Sequence, residues 1–328
     1  MRAVLALDAG GTSTRALVVE AGGRCLGFGR SGSGNPVSSG PDEAAGSLAA
    51  SALAALATAR CAPGDVELVL LAAAGAGSPA HREGLTRRLA DAGLTGRLVF
   101  ASDLLATFCS GTHLLAGYGL IAGTGAAAVR VVDGRQDGVA DGLVWLLGDE
   151  GSGFWIGHQV VRAVLADLDG RGRPTALTAA LRERLQVADD LPPRQAAEAI
   201  TRVLYLARPV RLADLAVLAF AAAGDPVADG VVAGAARGLA TTLRAVTAPE
   251  VDGPVVLGGG VLGRSRVLRD AVLSTYADGG PRPETLVVQD GAVGAGVLAL
   301  RHAGLTVDEP VFATLAASVG SLRGSGGH

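Results

Sequence analysis

The chain has 328 residues, 49% hydrophobic and 3% aromatic, with a formal net charge of -3. That length admits two domains with separate cores, the charge leaves no nucleic-acid footprint, and no apolar stretch spans a membrane without glycine or charge. All 28 residues counted as Lys+Arg are arginine, which excludes a P-loop NTPase, a protein kinase and a pyridoxal-phosphate enzyme, each of which needs its lysine. The 49 glycines show no triplet period, so the chain is not collagen-like.

In chain order, residues 2–30 read as three strands, RAVLALDA, TRALVVE and RCLGFGR, separated by Gly/Thr and Ala-Gly-Gly turns. The opening run is broken by Asp8, unlike a signal peptide. SGSGNPVSSG (31–40) is a polar loop, followed by a helix from Pro41 to about Arg60 with Asp42 and Glu43 at its positive end. VELVLLAAA (66–74) is a buried strand, HREGLTRRLADAG a helix, and RLVFAS a strand leading into a helix that Ser102 can cap. After Gly117 the strand–turn–strand pattern restarts, with a third short strand behind it. A long helical stretch follows from about 151 to 249, then strand, glycine turn and helix at PVVLGGGVLG, a last strand TLVVQD and a last helix GAVGAGVLALRHAG. The expected organisation is an N-terminal lobe (1–116, joined by the helix near 291–305), a C-terminal lobe (117–290) with a helical insertion, and a Gly/Ser-rich tail (311–328) that frays. Meander strands followed by β-α units give mixed sheets flanked by helices, an α/β class with a cleft between lobes.

Chemistry concentrates at the turns. VLALDAGGTSTRALVV and YGLIAGTGAAAVRVV both run an apolar strand into a small glycine turn and out again. Such turns let backbone N–H groups approach an anion. Asp8 ends the first strand, where it can hold Mg²⁺, while Gly10, Gly11 and Thr12 face phosphate; Asp and Gly are equally ordinary turn formers. Gly123, Thr124 and Gly125 form the matching turn. Gly258, Gly259 and Gly260 cost more chain entropy than a connection needs and would let an adenosine lie on the backbone. Asp103 opens a helix at a strand end, suited to accept a hydroxyl proton and equally to cap the helix. Gly148, Asp149 and Glu150 lie in a Gly-rich acidic cluster that reads as a polar ligand site. Cys25, Cys61 and Cys109 lack metal or redox spacing, and no histidine has a ligand pattern; a reduced cytoplasmic setting is expected.

DAGGT (8–12), SDLLAT (102–107), AGTG (122–125), LLGDEGSGFWIG (146–157) and LGGGV (257–261) together resemble the sugar-kinase/Hsp70/actin ATPase superfamily. More narrowly, the chain resembles its N-acetylglucosamine kinase branch and the BadF/BadG/BcrA/BcrD ATPase family. The resemblance implies a duplicated actin-like (ribonuclease H-like) fold and ATP-dependent phosphorylation of an amino-sugar hydroxyl, usually O6. It further implies Asp103 as catalytic base, Asp8 at Mg²⁺, and Gly10 to Thr12, Arg15 and Gly123 to Gly125 at phosphate. Gly258 to Gly260 would sit at adenosine, and Asn35, Gly75, Gly148, Asp149 and Glu150 near the sugar. A cytoplasmic homodimer without nucleic-acid or membrane partners is the family expectation. Three positions depart from the pattern. Ser13 replaces the basic residue after the threonine, Ala126 replaces a serine, and Asp141 to Trp145 replace GGWG, which leaves glucosamine as open as N-acetylglucosamine. Two other readings attach to the same fold: an activator ATPase with an iron–sulfur cluster, for which no cysteine lies beyond residue 117, and a sugar sensor without transfer.

Overall fold

The computed structural model describes residues 3–74 and 79–325. The first half runs β1 (Ala3–Ala9), β2 (Thr14–Glu20), β3 (Cys25–Ser31), a single turn α1 (Pro36–Ser39), α2 (Pro41–Ala59), β4 (Val66–Ala73), α3 (Pro79–Asp91), β5 (Arg97–Ser102) and α4 (Asp103–Gly111). The second half opens with β6 (Gly117–Ala122), β7 (Ala126–Val132) and β8 (Arg135–Asp141). Helices α5 (Val144–Leu147), α6 (Gly153–Leu168), α7 (Leu177–Arg184), α8 (Pro193–Tyr205), α9 (Ala216–Ala221) and α10 (Pro226–Val246) follow. It closes with β9 (Val255–Gly258), α11 (Arg266–Ala277), β10 (Thr285–Val287), α12 (Ala292–His302) and α13 (Glu309–Ser325).

The two sheets share one topology. Their strand orders are β3-β2-β1-β4-β5 and β8-β7-β6-β9-β10, with two antiparallel pairs followed by two parallel ones in each. This is the duplicated α/β arrangement the sequence leads one to expect. Strand periodicity sorts β1 onto two cores. Leu5 and Leu7 join α2 and α3 on one face, while Val4 and Ala6 face α12 on the other. Asp8 continues this second face at the strand end, 6% exposed.

The middle core ties the halves together. It runs from Val4, Ala6 and Leu17 through Ala295 and Leu298 of α12, then Ala106 and Phe108 of α4, to Val129 and Val256 of the second sheet. Each crossing helix thus leaves one sheet and packs against the other as well. At their crossing Gly294 lies directly on the α4 backbone, where a Cβ would stand 1.8 Å from the Ala106 carbonyl oxygen.

The structure corrects three local expectations. The loop at 31–40 contains the turn α1. The glycine cluster at 258–260 leads into an extended turn, and helix α11 begins only at Arg266. The tail expected to fray is helix α13 as far as Ser325, because Leu315 and Val319, four apart and therefore on one face, are buried in the middle core. Among the described residues no single helix is long and apolar enough to cross a membrane.

Candidate active site

A cleft of about 1360 Å³ opens between the sheets, lined from both halves. Its floor is made by glycine turns. In the β1–β2 turn, Gly10 N donates to Ser13 O at 3.1 Å, and Gly34 N donates to Gly10 O at 3.2 Å. The N–H groups of Gly11 and Thr12 take no acceptor among the described residues. The β6–β7 turn faces it: a Cβ on Gly11 would stand 3.3 Å from Thr124 Oγ1. That second turn is braced by the start of α6, where Gly153 N and Phe154 N donate to the carbonyls of Gly123 (2.7 Å) and Thr124 (3.2 Å). Ser152 caps α6 by accepting from Trp155 N at 3.1 Å. The third turn packs on the second. Gly259 has φ +89, and a Cβ there would come within 2.6 Å of the Ala122 carbonyl. Gly258 instead faces Thr107 of α4, and Gly259 and Gly260 line the cleft.

Carboxylates are set around this floor. Asp8 Oδ2 accepts from Gly291 N at 3.2 Å and faces Arg15 Nη1 at 3.4 Å. Burial, reinforced by Asp290 and Asp103 and opposed by Arg15 and the Gly291 N–H, pushes its pKa up to about 7. A carboxylate so short of compensation fits a site for a divalent cation. Among the described residues no group of three or more His, Cys, Asp or Glu could hold a metal ion, so Asp8 would share the cation with phosphate and water rather than enclose it.

Asp103 begins α4 beneath its Ser102 cap, and both Ser102 Oγ (3.2 Å) and Asp103 Oδ1 (3.0 Å) accept from Leu104 N. Burial raises its carboxyl above the usual carboxylate range, opposed by backbone N–H groups. Asn35, in the loop before α1, also lines the cleft. Asp149, 8% exposed, accepts from Ala126 N at 3.1 Å through Oδ1, and burial, then Asp141, raises its pKa.

The structure divides the acidic cluster. Asp149 lines the cleft, whereas the Glu150 side chain turns away and lies over Gly238 of α10. The positive φ of Asp149 (59°) and Gly151 (79°) reverses the chain between them. Gly148 does not line the cleft either; it makes room for Asp141 Oδ1, which a Cβ would approach to 2.2 Å. Gly75 lies outside the described residues.

Sequence reasoning passed over two site residues, Asp290 and Arg323, and met Asp141 only as a departure from the family pattern. Asp141 uses both carboxylate oxygens to accept from Asp149 N (2.6 Å) and Glu150 N (2.9 Å), so it holds the acidic turn in shape. Asp290 and Arg323 line the cleft beside Arg15. A signal for Asp290 exists: TLVVQD ends a strand in aspartate before a helix, as RLVFASD does. Arg323 carries no such local mark.

Sequence comparison relates the chain to an N-acetyl-D-glucosamine kinase of Dictyostelium discoideum, 30% identical over 211 residues covering 61% of this chain and 64% of that protein. An N-acetylmuramic acid/N-acetylglucosamine kinase of Clostridium acetobutylicum is 25% identical over 178 residues, covering 54% and 58%. The chain therefore matches less than two thirds of the length of these curated relatives. Among solved structures, one assigned as an N-acetylglucosamine kinase from Chromobacterium violaceum superposes with TM-score 0.72 at 25% identity, over 92% of this chain and 99% of that one. A ROK family glucokinase from Streptomyces griseus, solved with glucose and AMPPNP, shares the fold at TM-score 0.56 and 18% identity, over 92% and 98%. The sequence pattern of one family matches residues 5–299, and on that match the chain belongs to the BadF/BadG/BcrA/BcrD ATPase family.

Proposed function

We propose that this protein is an ATP-dependent sugar kinase that phosphorylates a hydroxyl, O6, of an amino sugar, N-acetylglucosamine or glucosamine. The observation that carries the reading is the placement of Asp103. It is a carboxylate of raised pKa facing the same cleft as two opposed glycine turns with unpartnered N–H groups. In this reading Asn35 and Asp149 orient the sugar, and Asp103 accepts the proton of the attacking hydroxyl as its oxygen bonds to phosphorus. The backbone N–H groups of Gly11, Thr12, Thr124 and Gly125, with Arg15, stabilise charge on the transferred phosphoryl group. Asp8 would hold Mg²⁺, which supplies charge neutralisation at the phosphates. Gly259 and Gly260 give the adenosine a backbone surface. Closure of the halves would exclude water and favour transfer over hydrolysis. The relatives named N-acetylglucosamine kinases support the acceptor class, and a cytoplasmic homodimer completes the proposal.

The test is a coupled ADP-release assay with Mg-ATP against hexoses, hexosamines and N-acetylhexosamines. Release stimulated by one amino sugar, with its phosphate identified by mass spectrometry, is the expected result. Release indifferent to every sugar would overturn the reading and favour an activator ATPase or a sensor.

A further inference from the structure

The C-terminal helix reaches into the phosphate side of the cleft. With Leu315 and Val319 buried against the middle core, α13 ends by delivering Arg323, whose Nη2 lies 2.6 Å from Asp290 Oδ1. The other oxygen, Oδ2, receives Arg15 Nε at 2.8 Å. Asp290 is therefore held on both oxygens by guanidinium groups from β2 and α13. Its side chain is 9% exposed, so water screens these charge-assisted contacts poorly. Oδ1 also accepts from Ala292 N at 3.1 Å, fixing the carboxylate to the start of α12. The Arg323 guanidinium lies over the Phe28 ring of β3, 5.5 Å from its centroid, which sets its plane.

This arrangement decides where Arg15 points. An arginine side chain has many rotamers, and the Asp8 contact at 3.4 Å is a weak tether. The Asp290 contact anchors Arg15 at Nε, with Nη1 facing Asp8, and leaves Nη2 to the cleft. No lysine exists to take this role, and the residue after Thr12 is a buried serine, Ser13. Without Arg323, Asp290 would keep Arg15 as its one cation among the described residues, and the pair could close into a two-point contact that draws Arg15 away from the phosphates.

We infer that Arg323 is a positioning residue of the nucleotide site, fixing Asp290 and through it the Arg15 guanidinium against the phosphates of the donor. The inference takes the identity of the donor from the kinase reading, but its test needs no acceptor sugar. Affinities for Mg-ATP and for adenosine, which lacks phosphates, are measured calorimetrically on the unmodified protein and on Arg323→Gln, Asp290→Asn and the double variant. Arg323→Gln should weaken Mg-ATP about tenfold, as loss of one charge-assisted contact would, and leave adenosine unchanged. Arg323→Lys should recover part of the loss. In the Asp290→Asn background, Arg323→Gln should add nothing further.

Unchanged Mg-ATP affinity in Arg323→Gln would overturn the inference. Equal losses for Mg-ATP and adenosine would show a merely structural role, and additive losses in the double variant would show that Arg323 acts on phosphate directly; either overturns it. If the nucleotide pattern holds while no sugar stimulates ADP release, the kinase reading fails alone. If the unmodified protein binds no Mg-ATP, both fail.

Discussion

Gly294→Ala tests whether the crossing of α4 and α12 sets the position of Asp103. The added Cβ would stand 1.8 Å from Ala106 O and 2.6 Å from Ser110 N, both backbone atoms of α4, so no flexible side chain can yield. The crossing is also pinned by Gly294 N donating to Ser110 Oγ at 2.8 Å. To reach even tight contact the helices must part by roughly 1 Å. Alanine favours a helix over glycine by about 1 kcal/mol, against about 1–3 kcal/mol for overpacking. With backbone on both sides the cost falls toward the upper end of that range, and a net loss of up to about 2 kcal/mol is expected. The functional loss is larger. Ala106 lies one turn from Asp103, and a misplacement of roughly 1 Å at a reacting group can cost about 10²-fold. The urea midpoint and kcat of sugar-dependent ADP release should therefore fall together. A variant with the parental midpoint and kcat would refute the packing argument. A lowered midpoint with intact kcat would show that α12 moves and Asp103 does not.

Asp103→Asn should cut kcat by about 10²–10⁴ with Mg-ATP affinity retained; near-normal turnover would remove Asp103 as the base. The same variant has a stability signature. Because burial raises the folded-state pKa of Asp103 above its ordinary 3.8, stability is full at low pH and falls as pH rises through the raised value. Asp103→Asn should thus melt higher than the parent at pH 7 and show a flatter profile of Tm against pH, which differential scanning calorimetry would read. Asp141→Ala strands the backbone N–H groups of Asp149 and Glu150. It should cost about 1–3 kcal/mol and raise KM for the sugar more than KM for ATP, and equal changes in both would count against its role in the acceptor loop. Val144 sits at φ +67, a region that β-branched residues avoid, and is 46% exposed. Val144→Gly trades a conformational cost of about 1–2 kcal/mol for a chain-entropy cost of about 0.5–1 kcal/mol, so the denaturation midpoint should rise slightly. A lower midpoint would mean that the valine side chain stabilises the loop.

What was legible in the chain was local. Both hairpins, the Ser102 cap and the position of Asp8 at the end of an apolar strand follow from periodicity and turn chemistry within about ten residues. The parts that escaped depend on direction or distance. Asp149 and Glu150 are neighbours in sequence, yet at a turn with positive φ at Asp149 and Gly151 the first lines the cleft and the second lies over Gly238 of α10. The Gly/Ser content of the tail masked a helix that Leu315 and Val319 mark by their spacing. Arg323 reaches the cleft only because those residues dock α13 on a core built from both halves.

Duplication then sharpens the assignment of the base. Because the two halves repeat one topology, the step from β5 to α4 and the step from β10 to α12 each leave an aspartate at the edge of the cleft, Asp103 and Asp290. Their environments separate them, as paired carboxylates with different roles require. Asp290 is engaged on both oxygens by ion pairs with Arg15 and Arg323. Asp103 forms no ion pair among the described residues, keeps only N–H partners from the backbone, and has its carboxyl raised by burial. On the proposed reading, Asp103, without an ion pair among the described residues, is the one suited to take a proton from a hydroxyl, and Asp290 holds the Arg15 and Arg323 guanidinium groups.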